Sequence, residues 1–143
     1  MKALVTGANG FLGHHLVARL LKLNFEVSVL VRKNSDLSEL LEVDPQNKIK
    51  KIYGDVTDLE SLKAACLEQQ YVFHLAGLVA YKKKDRPLLE KINVQGTRNM
   101  ILASQQQGSL KKFIYLSSVV AVGATTNGEV LNENSAYTIG DLD

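Results

Sequence analysis

Apolar residues in this chain fall into short runs separated by helically spaced stretches, and the two kinds of segment alternate throughout. Met1 to Thr6 (MKALVT) is an apolar run of strand length that stops at Gly7. From Leu12 the apolar positions recur at Leu16, Leu20 and Leu23, with Val17 and Leu21 beside them, the spacing of one helix face. Glu26 to Val31 (EVSVLV) predicts a second strand, entered through Asn24. Asp36-Leu37-Ser38-Glu39 opens a short helix, with a carboxylate at its start and a glutamate three residues on. Asp44-Pro45-Gln46-Asn47 is a turn cluster, and Ile49 to Tyr53 (IKKIY) is a third strand. Thr57-Asp58-Leu59-Glu60 has the pattern of a capping box ahead of a helix over Leu59 to Leu67. Tyr71 to Ala76 (YVFHLA), a long helix from Pro87 to Gln107 and a last strand from Lys112 to Ser117 (KFIYLS) complete the series. Strands joined by helices of this length pair in parallel with right-handed crossovers. The expectation is one α/β domain over residues 1–143. It is a doubly wound parallel sheet in strand order 3-2-1-4-5, with ligand at the carboxyl ends near the switch point between strands 1 and 4. No internal repeat or low-complexity tract interrupts it.

The junction after the first strand carries the chemistry. Gly7, Gly10 and Gly13 lie between strand and helix. Glycine there permits a tight turn and close backbone approach to a phosphate, and the helix N-terminus adds free N–H groups and positive potential. The spacing is G-x-x-G-x-x-G, one residue wider at the first gap than the usual dinucleotide fingerprint.

Composition narrows the classes without choosing among them. A hydrophobic fraction of 45%, a charged fraction of 22% and a net charge of +2 are those of an ordinary globular domain and give no argument for nucleic acid or a membrane surface. The one cysteine, Cys66, fits a reducing compartment, and the chain opens on a strand rather than on a signal peptide, so a cytoplasmic location is expected. His14 and His15 read as partly exposed structural residues, and three histidines without clustered cysteines or carboxylates give no metal signature. Lys82-Lys83-Lys84 reads as a solvated loop.

Thr6-Gly7-Ala8-Asn9-Gly10-Phe11-Leu12-Gly13 resembles the TGxxGFxG signature of the extended short-chain dehydrogenase/reductase family, whose members carry an NAD(P)-binding Rossmann domain. The resemblance implies that Gly7, Asn9, Gly10, Phe11, Leu12 and Gly13 surround the cofactor pyrophosphate. The segment ending the second strand reads the adenosine ribose in such folds, and here it is Val31-Arg32-Lys33-Asn34, with no acid before Asp36. Arg32 can make paired, charge-assisted bonds to a 2′-phosphate and Lys33 adds a second charge, so NADP(H) is expected over NAD(H). Gly54-Asp55-Val56-Thr57-Asp58 is similar to the family's G-D-x-x-D turn. By that likeness Asp55 meets the adenine amino group and Val56 packs on the ring, while Asp58 only caps a helix. His74-Leu75-Ala76-Gly77 resembles the family's H-x-A-[AG] segment, which places Leu75, Ala76 and Gly77 beside the nicotinamide half and leaves His74 buried and hydrogen-bonded. Asn93-Val94-Gln95-Gly96-Thr97 matches an N-V-x-G-T stretch of the long helix; Gly96 there suggests close packing, and Asn93 a role in orienting groups near the site.

Leu116 to Gly123 is similar to the family's strand-end serine segment, which makes Ser118 the catalytic candidate, a hydrogen-bond donor to the substrate oxygen. The family's Tyr-x-x-x-Lys helix has no counterpart. Tyr137 is followed four residues later by Asp141, so it is not that tyrosine, and Leu131-Asn132-Glu133-Asn134 resembles the stretch just before it. The chain is therefore expected to be an incomplete piece, inactive alone, with Leu88, Leu89, Ile92, Ile101 and Leu102 partly uncovered on the helix that forms the family's homodimer face. The serine segment and Arg32 look most like dihydroflavonol-reductase-like proteins and related nucleotide-sugar epimerases. The leading expectation is an NADP(H)-dependent oxidoreductase acting on a carbonyl or secondary alcohol of a small molecule. An epimerase or dehydratase that retains NAD, and a dinucleotide-sensing module without catalysis, are the alternatives.

Overall fold

The computed structural model describes residues 1–123 and 128–135. Tyr137 and Asp141 lie outside the described residues. β1 (Lys2–Thr6), β2 (Glu26–Val31), β3 (Lys50–Tyr53), β4 (Tyr71–His74) and β5 (Lys112–Tyr115) form one sheet. It is parallel throughout, in the order 3-2-1-4-5. The doubly wound architecture expected from the alternation is the one observed.

Both faces of the sheet are covered, which is why its central strands read as unbroken apolar runs. Ala3, Val5, Val27, Val29 and Val31 pack with Val17 and Leu20 of α1 (Phe11–Lys22) and Leu40 of α2 (Ser38–Val43). Leu4, Leu30 and Val72 face the other way, against Leu62, Ala65 and Cys66 of α3 (Leu59–Cys66) and Met100 and Ala103 of α4 (residues 86–105). α1 ends in a left-handed residue, Asn24 (φ 59). There Asn24 N donates to Leu21 O and Phe25 N to Leu20 O, both at 3.0 Å, so the last carbonyls are satisfied as the chain turns into β2.

Four local expectations are corrected. The first turn of α2 begins at Ser38 with Leu37 as its cap; Asp36 instead accepts from Ser38 N at 2.9 Å in a turn of its own. α3 is capped by Asp58, the role its own place in the turn suggested, and not by Thr57 of the capping-box pattern: Asp58 accepts from Glu60 N and Ser61 N, and Thr57 is already bonded to Asp55 through both its N–H and its hydroxyl. β4 stops at His74 rather than Ala76: Leu75 N still donates to Thr6 O, but Ala76 N donates to the Thr6 side chain, so the ladder ends there. β5 likewise stops at Tyr115, with Leu116 N making one last bond to His74 O.

The long helix also differs from a plain α-helix. It starts as α over Arg86–Leu89, opens into a π-helical stretch over Glu90–Gln95, and closes as α over Gly96–Gln105. Such widened turns mark places where a helix serves a site as well as a core. Of the five apolar residues expected to lose cover, Leu88 (49%), Ile101 (37%) and Leu102 (48%) are exposed. Leu89 and Ile92 are half-buried, and Ile92 packs on the core shared by α3 and α4.

Gly96 meets the close approach its position suggested. A Cβ there would lie 2.8 Å from Val56 Cγ2 and 3.1 Å from Val56 Cβ, and valine is too stiff at χ1 to move aside. Gly96→Ala is expected to destabilise by about 1–2 kcal/mol, since the overlap outweighs the gain of about 1 kcal/mol in helix propensity. Adding Val56→Ala should recover most of the loss in urea unfolding. A double variant no more stable than Gly96→Ala alone would show that this contact is not the cause.

Candidate functional site

The carboxyl ends of β1, β2 and β4 surround a crevice of about 290 Å³. Its lining includes Gly7, Asn9, Gly10, Arg32, Asp55, Val56, Leu75, Ala76 and Gly77, so nine of the residues singled out in the sequence converge on one cavity. Phe11, Leu12 and Gly13 sit beside it as the first turn of α1, and exposed Lys33 stands outside the lining.

The floor is the glycine turn. Gly7 has φ +68, the left-handed region, and a Cβ there would come within 2.7 Å of both Ala76 N and Leu75 C. Gly13 is packed so closely on the turn that a Cβ would overlap Gly7 O and lie 2.6 Å from Ala8 Cα. Gly10 N donates to Gly7 O at 3.0 Å and closes the turn. Gly10 is also the N-cap of α1, which has neither a side-chain cap nor an acid in its first turn. The N–H groups of Phe11, Leu12 and Gly13, the first turn of α1, thus lie next to the crevice at the positive end of the helix, a setting that suits an anion. Phe11 contributes through its backbone: its ring is 78% exposed and lies edge-on to His15 at 5.7 Å. His14 is tied to Gly10 O at 3.1 Å and to Glu39 at 3.0 Å, and His15 is exposed, in keeping with structural roles for both.

Asp55 and Arg32 shape the far end. Asp55 Oδ1 accepts from Thr57 N at 2.9 Å and Thr57 Oγ1 at 2.8 Å, while Oδ2 has no hydrogen bond among the described residues. Burial opposes its charge, but the Thr57 bonds and the nearby cations Arg32 and Lys91 outweigh that, holding the carboxyl below its ordinary range. It is thus an ionised acceptor with one oxygen to spare. Arg32 ends β2 exposed, and neither it nor Lys91 makes an ion pair among the described residues. The backbone beside it is held by Ser35 N donating to Arg32 O and by Asn9 Nδ2 donating to Asp36 O, a bond of 3.1 Å that joins the glycine turn to the β2–α2 loop.

The remaining wall is the chain after β4. Asn93, in the π-helical stretch, accepts from Leu78 N at 2.7 Å and donates to Leu78 O at 2.9 Å, which fixes the segment that follows Gly77. His74 is fully buried and bonded at both nitrogens, as its place in the sequence suggested. Burial pushes its pKa down to about 4, so it is neutral near pH 7. Ser118 lies three residues past β5, exposed, with its carbonyl accepting from Ala121 N at 2.9 Å; it is not part of the crevice lining. Leu30, Val31, Ser35, Gly54, Leu78 and Ile92 also line the cavity and were not expected from the sequence to do so. Ile92 is the clearest case, because only the α4 packing shows which side of that helix meets the crevice.

The model of the 3-beta hydroxysteroid dehydrogenase/isomerase family matches residues 4–140. The chain belongs to that family. It is 37% identical over 141 residues to 3 beta-hydroxysteroid dehydrogenase type 7 of Rattus norvegicus, covering 94% of this chain and 41% of that protein. It is 33% identical over 143 residues to sterol demethylase protein B of Methylococcus capsulatus, covering 100% of this chain and 41% of that one. Among solved structures it superposes on vestitone reductase from alfalfa with a TM-score of 0.70 and 28% identity, over 85% of this chain and 37% of the reductase. The chain thus spans about two-fifths of the length of these relatives. The family uses NAD(P) in general and includes oxidoreductases and epimerases, and among the described residues no helix is long and apolar enough to cross a membrane and no group of side chains could hold a metal ion.

The crevice fits a dinucleotide on its own terms. Its floor is a turn of glycines packed too closely on backbone to take a side chain at Gly7 or Gly13, an uncapped helix end adjoins it, an ionised acceptor lies on one side, and Arg32, which makes no ion pair among the described residues, lines it.

Proposed function

We propose that this chain is the dinucleotide-holding part of an NADP(H)-dependent oxidoreductase that acts on a carbonyl or secondary alcohol of a small organic molecule. The observation that carries the reading is Arg32, which follows β2, makes no ion pair among the described residues and lines the crevice where a ribose-reading acid would otherwise stand. Gly7, Gly10 and the first N–H groups of α1 would hold the pyrophosphate, and Asp55 with Val56 the adenine. Arg32, with Lys33 nearby, would hold the 2′-phosphate, and Leu75 to Gly77 the nicotinamide half. The nicotinamide supplies or accepts a hydride when bound. Ser118 is the group on this chain that would orient the substrate oxygen by hydrogen bonding, and the exposed apolar side chains of α4 suit a homodimer contact in a longer form. The likeness to a 3 beta-hydroxysteroid dehydrogenase favours an apolar alcohol or ketone as the substrate class.

Titration of intrinsic or cofactor fluorescence with NADPH and NADH tests the reading. NADPH is expected to bind the more tightly. Arg32→Ala should weaken NADPH by about 10- to 100-fold, as for a lost charge-assisted bond to phosphate, and leave NADH within about twofold. Equal losses for the two nucleotides would reject the assignment of Arg32 to the 2′-phosphate.

A further inference from the structure

We propose that His74 and Thr97 are positioning residues: from behind the crevice they hold its nicotinamide-side wall, Leu75 to Gly77, against the glycine turn. The proposal deepens the dinucleotide reading and rests on it. His74 ends β4, in register with Thr6 at the end of β1 and Tyr115 at the end of β5. Its Nδ1 lies 2.7 Å from Thr6 Oγ1, and its Nε2 lies 3.0 Å from Thr97 Oγ1 on α4. The same Thr6 oxygen accepts from Ala76 N at 3.1 Å. One hydroxyl therefore links His74 to the peptide that presses on Gly7, where there is no room even for a methyl group.

The protons can be placed. Thr6 is fully buried, its oxygen accepts from the Ala76 backbone N–H, and among the described residues His74 is its one side-chain partner. Its hydroxyl satisfies its donor only by giving its proton to Nδ1, which leaves Nε2–H to donate to Thr97. The ring faces Thr6, Thr97, Phe113 and Tyr115, stacked on the last at 5.7 Å, and no charged side chain among the described residues pairs with it.

α4 grips the wall at two points. Thr97 holds His74, and Asn93, four residues earlier on the helix, holds Leu78, four residues later on the wall. The two clamps bracket Leu75, Ala76 and Gly77, all of which line the crevice. The π-helical stretch that contains Asn93 ends directly before Gly96, the residue that lets α4 approach Val56. The wall on the nicotinamide side thus takes its position from Thr97 and Asn93, whereas α4 reaches the adenine end at Val56 through other residues, Gly96 by packing and Asn99 by a bond of 3.1 Å to Val56 O.

That division gives a test that a merely structural role would not satisfy. NADPH probes both ends of the crevice, and 2′,5′-ADP probes the adenine end alone. By isothermal titration, Thr97→Val is expected to weaken NADPH about tenfold while leaving 2′,5′-ADP unchanged, and Thr97→Ser, which keeps the hydroxyl, should bind both as the parent does. His74→Asn, which breaks both links at once, should show the same split more strongly. Thr97→Val binding both ligands as the parent, or losing both equally, overturns the positioning role while leaving the dinucleotide reading intact. A parent protein that binds neither ligand overturns that reading, and this inference with it.

Discussion

Gly13→Ala is expected to cost about 3 kcal/mol or more in folding free energy, enough to consume a large part of the stability of a domain this size. The added methyl would overlap Gly7 O and come within 2.6 Å of Ala8 Cα and 2.7 Å of Ala8 C. All three are backbone atoms of the turn, so no rotamer change can relieve the clash, and α1 would have to leave its seat on β1. Gly10→Ala is the contrasting case. Its Cβ would meet only Gly7 O, at 3.3 Å, and its backbone (φ -90, ψ 172) is extended, a conformation any residue adopts. Its stability should stay within about 1 kcal/mol of the parent. Urea unfolding of the two variants side by side settles the matter: a Gly13→Ala protein as stable as Gly10→Ala would mean that the turn relaxes in a way its packing does not suggest.

The second large effect is a loss of stability in mild acid traceable to one residue. His74 is held near a pKa of about 4 by burial, against an ordinary value of 6.5 in the unfolded chain. Between those values the unfolded state binds a proton that the folded state refuses, so stability is present in full above about 6.5 and declines as the pH falls toward 4. At 1.36 kcal/mol per pKa unit, the share lost between pH 7 and pH 5 is about 2 kcal/mol. Asp55, whose carboxyl is held below its ordinary 3.8, also loses stability in acid, but only below that window. His74→Gln should be less stable at neutral pH and nearly flat from pH 7 to pH 5 in thermal unfolding. A variant that keeps the parent's slope over that range would place the titration elsewhere.

Much of the crevice was legible because its parts are local. A glycine that needs positive φ, as Gly7 does, or that stands at a helix start, as Gly10 does, is recognisable from its place between a strand and a helix. Arg32 was legible for the same reason, since the residue ending β2 reaches the crevice in any sheet of this order. The exact caps were less so. Thr57 and Asp58 each suit an N-cap, and the choice went to Asp58 because Asp55 had already engaged Thr57, a competition between neighbours that composition does not rank. The ends of β4 and β5 were overread because an apolar run does not reveal where a side chain replaces the backbone as hydrogen-bond acceptor.

The sequence by itself determined the alternation of strands and helices, the parallel sheet and the position of the glycine turn beside the crevice, because hydrophobic period and glycine placement act within a few residues of one another. The tertiary structure alone decided that α4 opens into a π-helical turn. It also decided that Asn93 and Thr97 grip opposite ends of one crevice wall and that Ile92 faces the cavity while Leu102 faces solvent. Those outcomes depend on contacts between residues up to 70 positions apart, such as Thr6 with Ala76, whose geometry exists only once the sheet has assembled.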